Sequence, residues 1–322
     1  HYISASIGTT LYPSDDEDVD TLLRQADQAM YQAKLAGKHR CHIFDSDHDR
    51  VVSQKQVLLD EVKKALYADE LTLFYQPQVN MATGDVFGVE ALLRWQHPDK
   101  GLIPPMDFLP YISSTELEIE VGEWVINQAV CQLHEWSVQG INLAISVNIA
   151  SHHLQQSSFV SRLTYALDEY PDIDPGRLQL EVLESSVLAD LKKIRETIDN
   201  CQNQLGVNIA LDDFGTGYSS LTHLRSFSAD TVKIDKSFIQ DMLDDPNDYV
   251  IVDGIIGLAE SFSRHVIAEG VESVQHGLMS LAMGCHQAQG FGIARPMPEA
   301  ELRHWLAAYR PEKTWINFAA EV

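Results

Sequence analysis

From about residue 70 the chain alternates between apolar runs of strand length and amphipathic stretches with helical spacing. The runs are 71–75, 86–93, 141–147, 178–183, 207–211, 231–234, 266–268 and 285–288. Eight such runs over some 250 residues, most followed by a helical stretch, predict an α/β fold of the (β/α)8 barrel type. A doubly wound open sheet is the competing reading. It normally carries a Gly-rich turn after its first strand, and none is present here.

The first 70 residues follow a different rhythm. Residues 2–12 alternate as a strand up to Pro13, and an acidic stretch, Ser14 to Asp18, follows. A helix is then predicted, with Asp20 as N-cap, Leu22, Leu23, Ala26, Ala29, Met30 and Ala33 on one face, and Gly37 as its stop. Residues 41–44 predict a short closing strand. One helix and two strands are too little for an independent core, so residues 1–45 read as part of a domain. Residues 46–68 carry Leu58, Val62 and Leu66 at i, i+4 and i+8 and predict a linker helix. Residues 69–322 make the barrel domain. The chain opens on His1 inside an apolar alternation, as a piece excised from a longer protein would.

Of 322 residues, 45% are hydrophobic and 22% charged, enough for a full core. Lys and Arg number 23 against 47 Asp and Glu, for a formal net charge of −24. That excess argues against nucleic-acid polymers and anionic lipid as general partners. It leaves room for a small anionic ligand if cations reverse the sign locally. Cys41, Cys131, Cys201 and Cys285 are scattered with no C-x-x-C pair, as in a reduced cytoplasmic protein. No run approaches the ~18 apolar residues of a membrane span, so no membrane contact is expected from this segment.

Within or just after the apolar runs stand Glu90, Asn148, Glu181, Asp212, Asp213, Lys233, Glu269 and Gln289. One such carboxylate alone reads as a solvated residue or a helix cap. Together, in barrel phase, they would converge on the C-terminal mouth, where mutual repulsion disfavours so many acids unless cations neutralise them. All-oxygen ligands favour hard cations, Mg²⁺ or Mn²⁺ over Zn²⁺. If the chain bends at the adjacent pair Asp212 and Asp213, both carboxylates can face the mouth and one can bridge two metals. Such a pair of cations would polarise a phosphoryl group and activate water, with Lys233 holding that water or the developing charge. The following Phe214-Gly215-Thr216-Gly217 predicts a tight, mobile loop whose position would control metal occupancy.

At this point Glu90-Ala91-Leu92-Leu93-Arg94-Trp95 resembles the signature of EAL-domain cyclic-di-GMP phosphodiesterases. So do Tyr75-Gln76-Pro77, Ser146-Val147-Asn148, Leu180 to Glu184, the DDFGTGYSSL loop, Val232 to Asp235, Ala268 to Glu272 and Gln289-Gly290-Phe291. The resemblance implies a TIM-like barrel with its first strand antiparallel. It also implies hydrolysis of cyclic di-GMP (c-di-GMP) to linear 5'-pGpG with two Mg²⁺ or Mn²⁺. Carried over by motif, Glu90, Asn148, Glu181 and Asp212 would bind the first metal. Asp212 would bridge to the second, which Asp213 completes. Lys233 would position the water, while Glu269 and Gln289 would complete the metal and water network. Glu184 would anchor the loop and Glu272 support it. Gln76, Leu92 and Arg94 would touch the substrate, and Pro296 would line a guanine site. Leu183 departs from the Thr common in the family at that position.

A homodimer through the barrel is expected from the family, and the alternative function is a c-di-GMP receptor that signals by shape change. Such receptors typically lose metal ligands or the lysine, and here all are present. Residues 1–45 resemble the C-terminal end of a GGDEF domain, in Ile3 to Gly8 and Ala26 to Lys34, without that family's signature or metal ligands. This stretch should make no c-di-GMP, and the parent protein is expected to carry sensor or membrane parts upstream. Two weaker signals, the acidic run 15–20 and the pair His152-His153, read as a solvated loop and as surface residues.

Overall fold

The computed structural model describes residues 4–12, 18–35, 37–185, 191–216 and 227–321. The chain divides into two compact units, His1–Lys64 and Ala65–Val322.

In the first unit, β1 (Ile7–Thr9) pairs in parallel with β2 (Cys41–Ile43), and the helix Val19–Leu35 packs on β1. The approach is close because residue 8 is glycine: a Cβ there would come within 2.2 Å of the Met30 backbone nitrogen. The helix is capped by Asp18, not Asp20. The Asp18 carboxylate accepts the Thr21 N–H at 2.8 Å, placing the cap three residues before its donor. Ala29 and Ala33 form the buried stripe, whereas Leu23 points to solvent. Gly37, at φ +106°, ends the run as expected. The helix Ser46–Tyr67 follows, burying Val62 and Ala65 with Leu58 and Leu66 half-buried.

The second unit is a closed barrel. β3 (Leu71–Asn80) pairs with β4 (Val86–His97) on one side and β11 (Gln287–Ala288) on the other, antiparallel to both. Between them run β10 (His265–Ala268), β9 (Thr231–Ile234), β8 (Asn208–Phe214), β7 (Leu178–Leu183) and β6 (Ala144–Asn148), all parallel, and β6 pairs with β4. Closure through β3–β4 leaves eight staves and excludes the open sheet. A short β5 (Gly101–Ile103), unforeseen in the pattern, pairs outside the ring on β4.

The eight predicted runs all become strands. β3 and β4 extend well past them because they form a long hairpin, while 141–143 and 285–286 stay outside their strands. In the walls, apolar residues such as Ile145, Val147, Leu180, Val182, Ile209 and Leu211 are buried at every second position, and the intervening Ser146, Glu181 and Ala210 are buried too, as expected where helices cover the outside and side chains fill the inside. One inward layer is polar but neutral: Ser146 Oγ donates to Gln179 Oε1 at 2.9 Å, and Gln179 Nε2 to Thr231 Oγ1 at 3.0 Å. No helix among the described residues is long and apolar enough to cross a membrane.

Candidate active site

Lys233, on the short buried strand β9, is the centre of the mouth. Its ammonium is fully buried and lies 2.8 Å from Glu181 Oε2, 2.8 Å from Glu269 Oε1, 3.2 Å from Asp212 Oδ1 and 3.4 Å from Glu90 Oε2. Burial alone would push its pKa down. The carboxylates of Asp212, Glu181, Glu269 and Glu90 outweigh that and raise it well above the usual lysine value.

A β-bulge brings in Asp213. In the β8–β9 ladder, Leu211 faces Val232 and Phe214 faces Ile234, so Asp212 and Asp213 together oppose the single residue Lys233. Asp213 takes φ +52°, outside the ordinary strand region, and the chain bends there. Asp212, Asp213 and Glu269 can each offer a carboxylate oxygen, all within 4.8 Å of one another.

Glu90 projects from the interior of β4, opposite Gln76 of β3. Its Oε1 accepts from Asn148 Nδ2 at 2.7 Å and its Oε2 from Gln289 Nε2 at 2.6 Å. Burial would raise its pKa, but Lys233 and these two amides hold it below the usual value. Glu181, Glu269 and Asp213 go up. Burial, joined by Glu90 and Asp212, raises Glu181 well above the carboxylate range. Burial with Asp212 and Glu90 takes Glu269 to about 8, and burial with Asp212 takes Asp213 to about 6.

Five carboxylates thus surround one ammonium. Glu181 Oε1 and Asp212 Oδ1 are buried without a hydrogen-bond partner. Glu181 Oε1 has no polar partner and Asp212 Oδ1 has only the Lys233 ion pair at 3.2 Å; such oxygens beside repelling neighbours are what a bound cation would satisfy, so the donor set fits hard divalent ions.

The remaining predicted residues fall as follows. Leu92 and Arg94 share the Glu90 face of β4 by the period of two, both half-buried. Arg94 Nη1 donates to the Leu93 carbonyl, and its guanidinium lies 5.6 Å from the Phe74 ring centre. Gln76 is buried with its Nε2 on the Ala294 carbonyl at 3.0 Å, so its amide is engaged inside the protein. Pro296 is half-buried beside Met297, which bridges to Tyr75 in the middle of β3. Glu184 is buried and accepts the Gly215 N–H at 3.0 Å, tying β7 to the loop. Phe214 is buried. Gly215 at φ +104° leaves no room for a Cβ against Ile255 and Phe238, and Thr216 Oγ1 donates to the Asp213 carbonyl. Gly217 and the rest of that loop to 226 lie outside the described residues. Exposed Glu272 accepts from Gln240 Nε2 at 2.8 Å and does not join the cluster around Lys233.

Three features escape the motif reading. Asp235, given no role of its own by the motif, lies by the Asp213 carboxyl and adds to the rise of its pKa. Burial would raise the Asp235 pKa, but the Ser237 hydroxyl and N–H hold it low. Gln78, buried, donates to Gln289 Oε1 at 3.0 Å; its spacing of two from Gln76 is the available signal. His153 is not a surface residue. It is buried against Gly122 and Phe159, while His152 remains half-exposed.

A closed barrel with one inverted strand thus carries at its mouth an acid-rich cluster around a buried lysine, a donor set suited to hard divalent cations. Comparison with known proteins is specific: the EAL domain family matches residues 59–296, and the chain belongs to it. Residues 1–40 match the diguanylate cyclase GGDEF domain.

The bifunctional diguanylate cyclase/cyclic di-GMP phosphodiesterase MucR of Pseudomonas aeruginosa is 38% identical over 93% of this chain and 44% of its own length. Cyclic di-GMP phosphodiesterase PdeR of Escherichia coli is 36% identical over 96% of this chain and 46% of its own. The chain therefore spans about half the length of these curated relatives. The MucR phosphodiesterase solved as a c-di-GMP complex superposes with a TM-score of 0.72 at 38% identity, covering 76% of this chain and 99% of that one.

Proposed function

We propose that this chain hydrolyses one phosphodiester bond of c-di-GMP to linear 5'-pGpG, with two Mg²⁺ or Mn²⁺ held at the barrel mouth. The reading is supported above all by two buried oxygens without a hydrogen bond, Glu181 Oε1 and Asp212 Oδ1 (the latter in an ion pair with Lys233), among the clustered carboxylates of Glu90, Glu181, Asp212, Asp213 and Glu269. The family and its c-di-GMP phosphodiesterases supply the substrate class.

Glu90, Asn148, Glu181 and Asp212 would hold one cation; Asp212 and Asp213 would hold the second, with Glu269 and Gln289 completing the network. Bound there, the cations supply Lewis acidity to the phosphoryl oxygens and lower the cost of deprotonating water. Lys233 stays an ammonium among its four carboxylates, so it donates a hydrogen bond to water or to a phosphoryl oxygen and takes no proton. Water's oxygen bonds to phosphorus as the bond from phosphorus to the ribose 3' oxygen breaks, leaving a 5'-phosphate and a 3'-hydroxyl. A cluster carboxylate takes one proton from the water and returns it to the departing 3' oxygen. Arg94 would meet a phosphate. Leu92 and Gln76 would bound the substrate, Pro296 would pack on a guanine, and Glu184 would hold the Gly215 end of the loop in place.

The receptor alternative is not favoured, because Lys233 and every proposed ligand are present. A homodimer through the barrel belongs to the same proposal, as does the division into a GGDEF remnant at 1–45, a linker at 46–68 and the barrel at 69–322. Chromatography of products after incubation with c-di-GMP and Mn²⁺ tests the function. Linear pGpG from the wild type and none from Glu90→Ala is the expected result. Intact c-di-GMP that binds without turnover would turn the reading to the receptor.

A further inference from the structure

Three glutamines form a directed chain across the inside of the barrel. The Ala294 carbonyl can only accept, so Gln76 must turn its Nε2 to it, at 3.0 Å. Gln76 Oε1 is then an acceptor, and Gln289 Nε2 donates to it at 3.0 Å and to Glu90 Oε2 at 2.6 Å. The Gln289 oxygen must face the other way, where Gln78 Nε2 meets it at 3.0 Å. Gln78 in turn has its oxygen against Gly88, where a Cβ would come within 3.2 Å of it. An amide can flip without changing shape, so only its donors and acceptors decide which end faces Glu90. Here a backbone carbonyl on one side and Gln78 on the other impose the same answer.

We propose that Gln78 is a positioning residue for the mouth: it locks the Gln289 amide with Nε2 toward Glu90, and so aligns Glu90 for a divalent cation. This rests on the reading of the mouth as a cation site. Without the Gln78 donor, the Gln289 oxygen loses the hydrogen bond given by Gln78 and the amide is held in its orientation from one side only. The amide can then tilt or flip at lower cost, and each departure from its place weakens the Nε2 hydrogen bond that aligns Glu90. Removing an outer partner of a metal ligand typically costs 10–100-fold in metal affinity or activity.

The test is calorimetric titration of Mn²⁺ into substrate-free, metal-stripped protein. Gln78→Leu is expected to weaken Mn²⁺ binding about 10-fold. Gln78→Glu, which sets an acceptor against the Gln289 oxygen and drives the flip, should weaken it at least as much. If Gln78 acts through Gln289, the double variant Gln78→Leu/Gln289→Leu binds no more weakly than Gln289→Leu alone. Wild-type affinity in folded Gln78→Leu or Gln78→Glu overturns the proposal, as does a loss that adds in full to that of Gln289→Leu. Circular dichroism confirms folding, and if the leucine variant does not fold, the glutamate variant decides. A wild-type protein that binds no Mn²⁺ overturns the cation reading of the mouth and this proposal with it. Normal wild-type binding with unaffected Gln78 variants overturns this proposal alone.

Discussion

Lys233 shows how one side chain can carry the electrostatics of a site. It is the only ammonium within 3.4 Å of Glu90, Glu181, Asp212 and Glu269 among the described residues. Breaking a buried ion pair on one side typically costs 3–5 kcal/mol. Lys233→Met should therefore lower the unfolding free energy of metal-free protein by about that much, read by urea denaturation, with Mn²⁺ restoring more stability to the variant than to the wild type. In turnover assays the same change should depress kcat far more than it raises KM; equal loss in both would make Lys233 a binding residue. A second residue-scale prediction concerns His153, buried with Nδ1 unpartnered. Burial, with Arg162 and His152 adding to it, holds its pKa down to about 4 from 6.5. Between those values the unfolded chain binds the extra proton, so this contribution is full above pH 6.5 and is lost as pH falls toward 4. From pH 7 to 5 the wild type should lose about 2 kcal/mol more than His153→Gln in urea unfolding. Parallel pH profiles for the two proteins would refute the assignment.

At the scale of elements, the strands were legible because each is a short apolar run bounded by polar residues, and eight in series admit few architectures. The inversion of β3 was legible only through family resemblance, since a period of two reads the same in either direction. Other details depend on context the pattern does not hold. Glu90 and Gln76 pair because β3 and β4 form a long hairpin, and the two aspartates face one lysine because β8 bulges. Gln78 escaped because an inward polar residue has no periodic signature in a wall buried on both faces, and His153 because the single helical turn Ser151–Leu154 is too short to show which face is buried. The loop between β11 and Pro296 shows how tightly an element can hold a site residue. Gln289 and Gly292 both bond the Val271 backbone, and a Cβ on Gly290 would come within 2.2 Å of the Val271 carbonyl oxygen. Gly290→Ala should cost about 1–3 kcal/mol in urea unfolding and reduce c-di-GMP turnover by displacing Gln289. Wild-type stability together with wild-type turnover would show that the loop is slack.

For the whole molecule, a net charge of −24 and an anionic dinucleotide substrate are compatible only if sign is set locally. Most of the acids are spread over the surface, where water screens them. The cluster at the mouth differs, because Glu90, Glu181 and Asp212 are buried and carry more negative charge than Lys233 can offset. Cations there would both relieve that repulsion and draw in phosphates. The direct test is c-di-GMP turnover by protein stripped with EDTA, assayed before and after Mn²⁺ is restored. Stripped protein should give no pGpG, with full turnover once Mn²⁺ returns. Undiminished turnover after stripping, or none with Mn²⁺ present, would contradict the cation reading of the mouth.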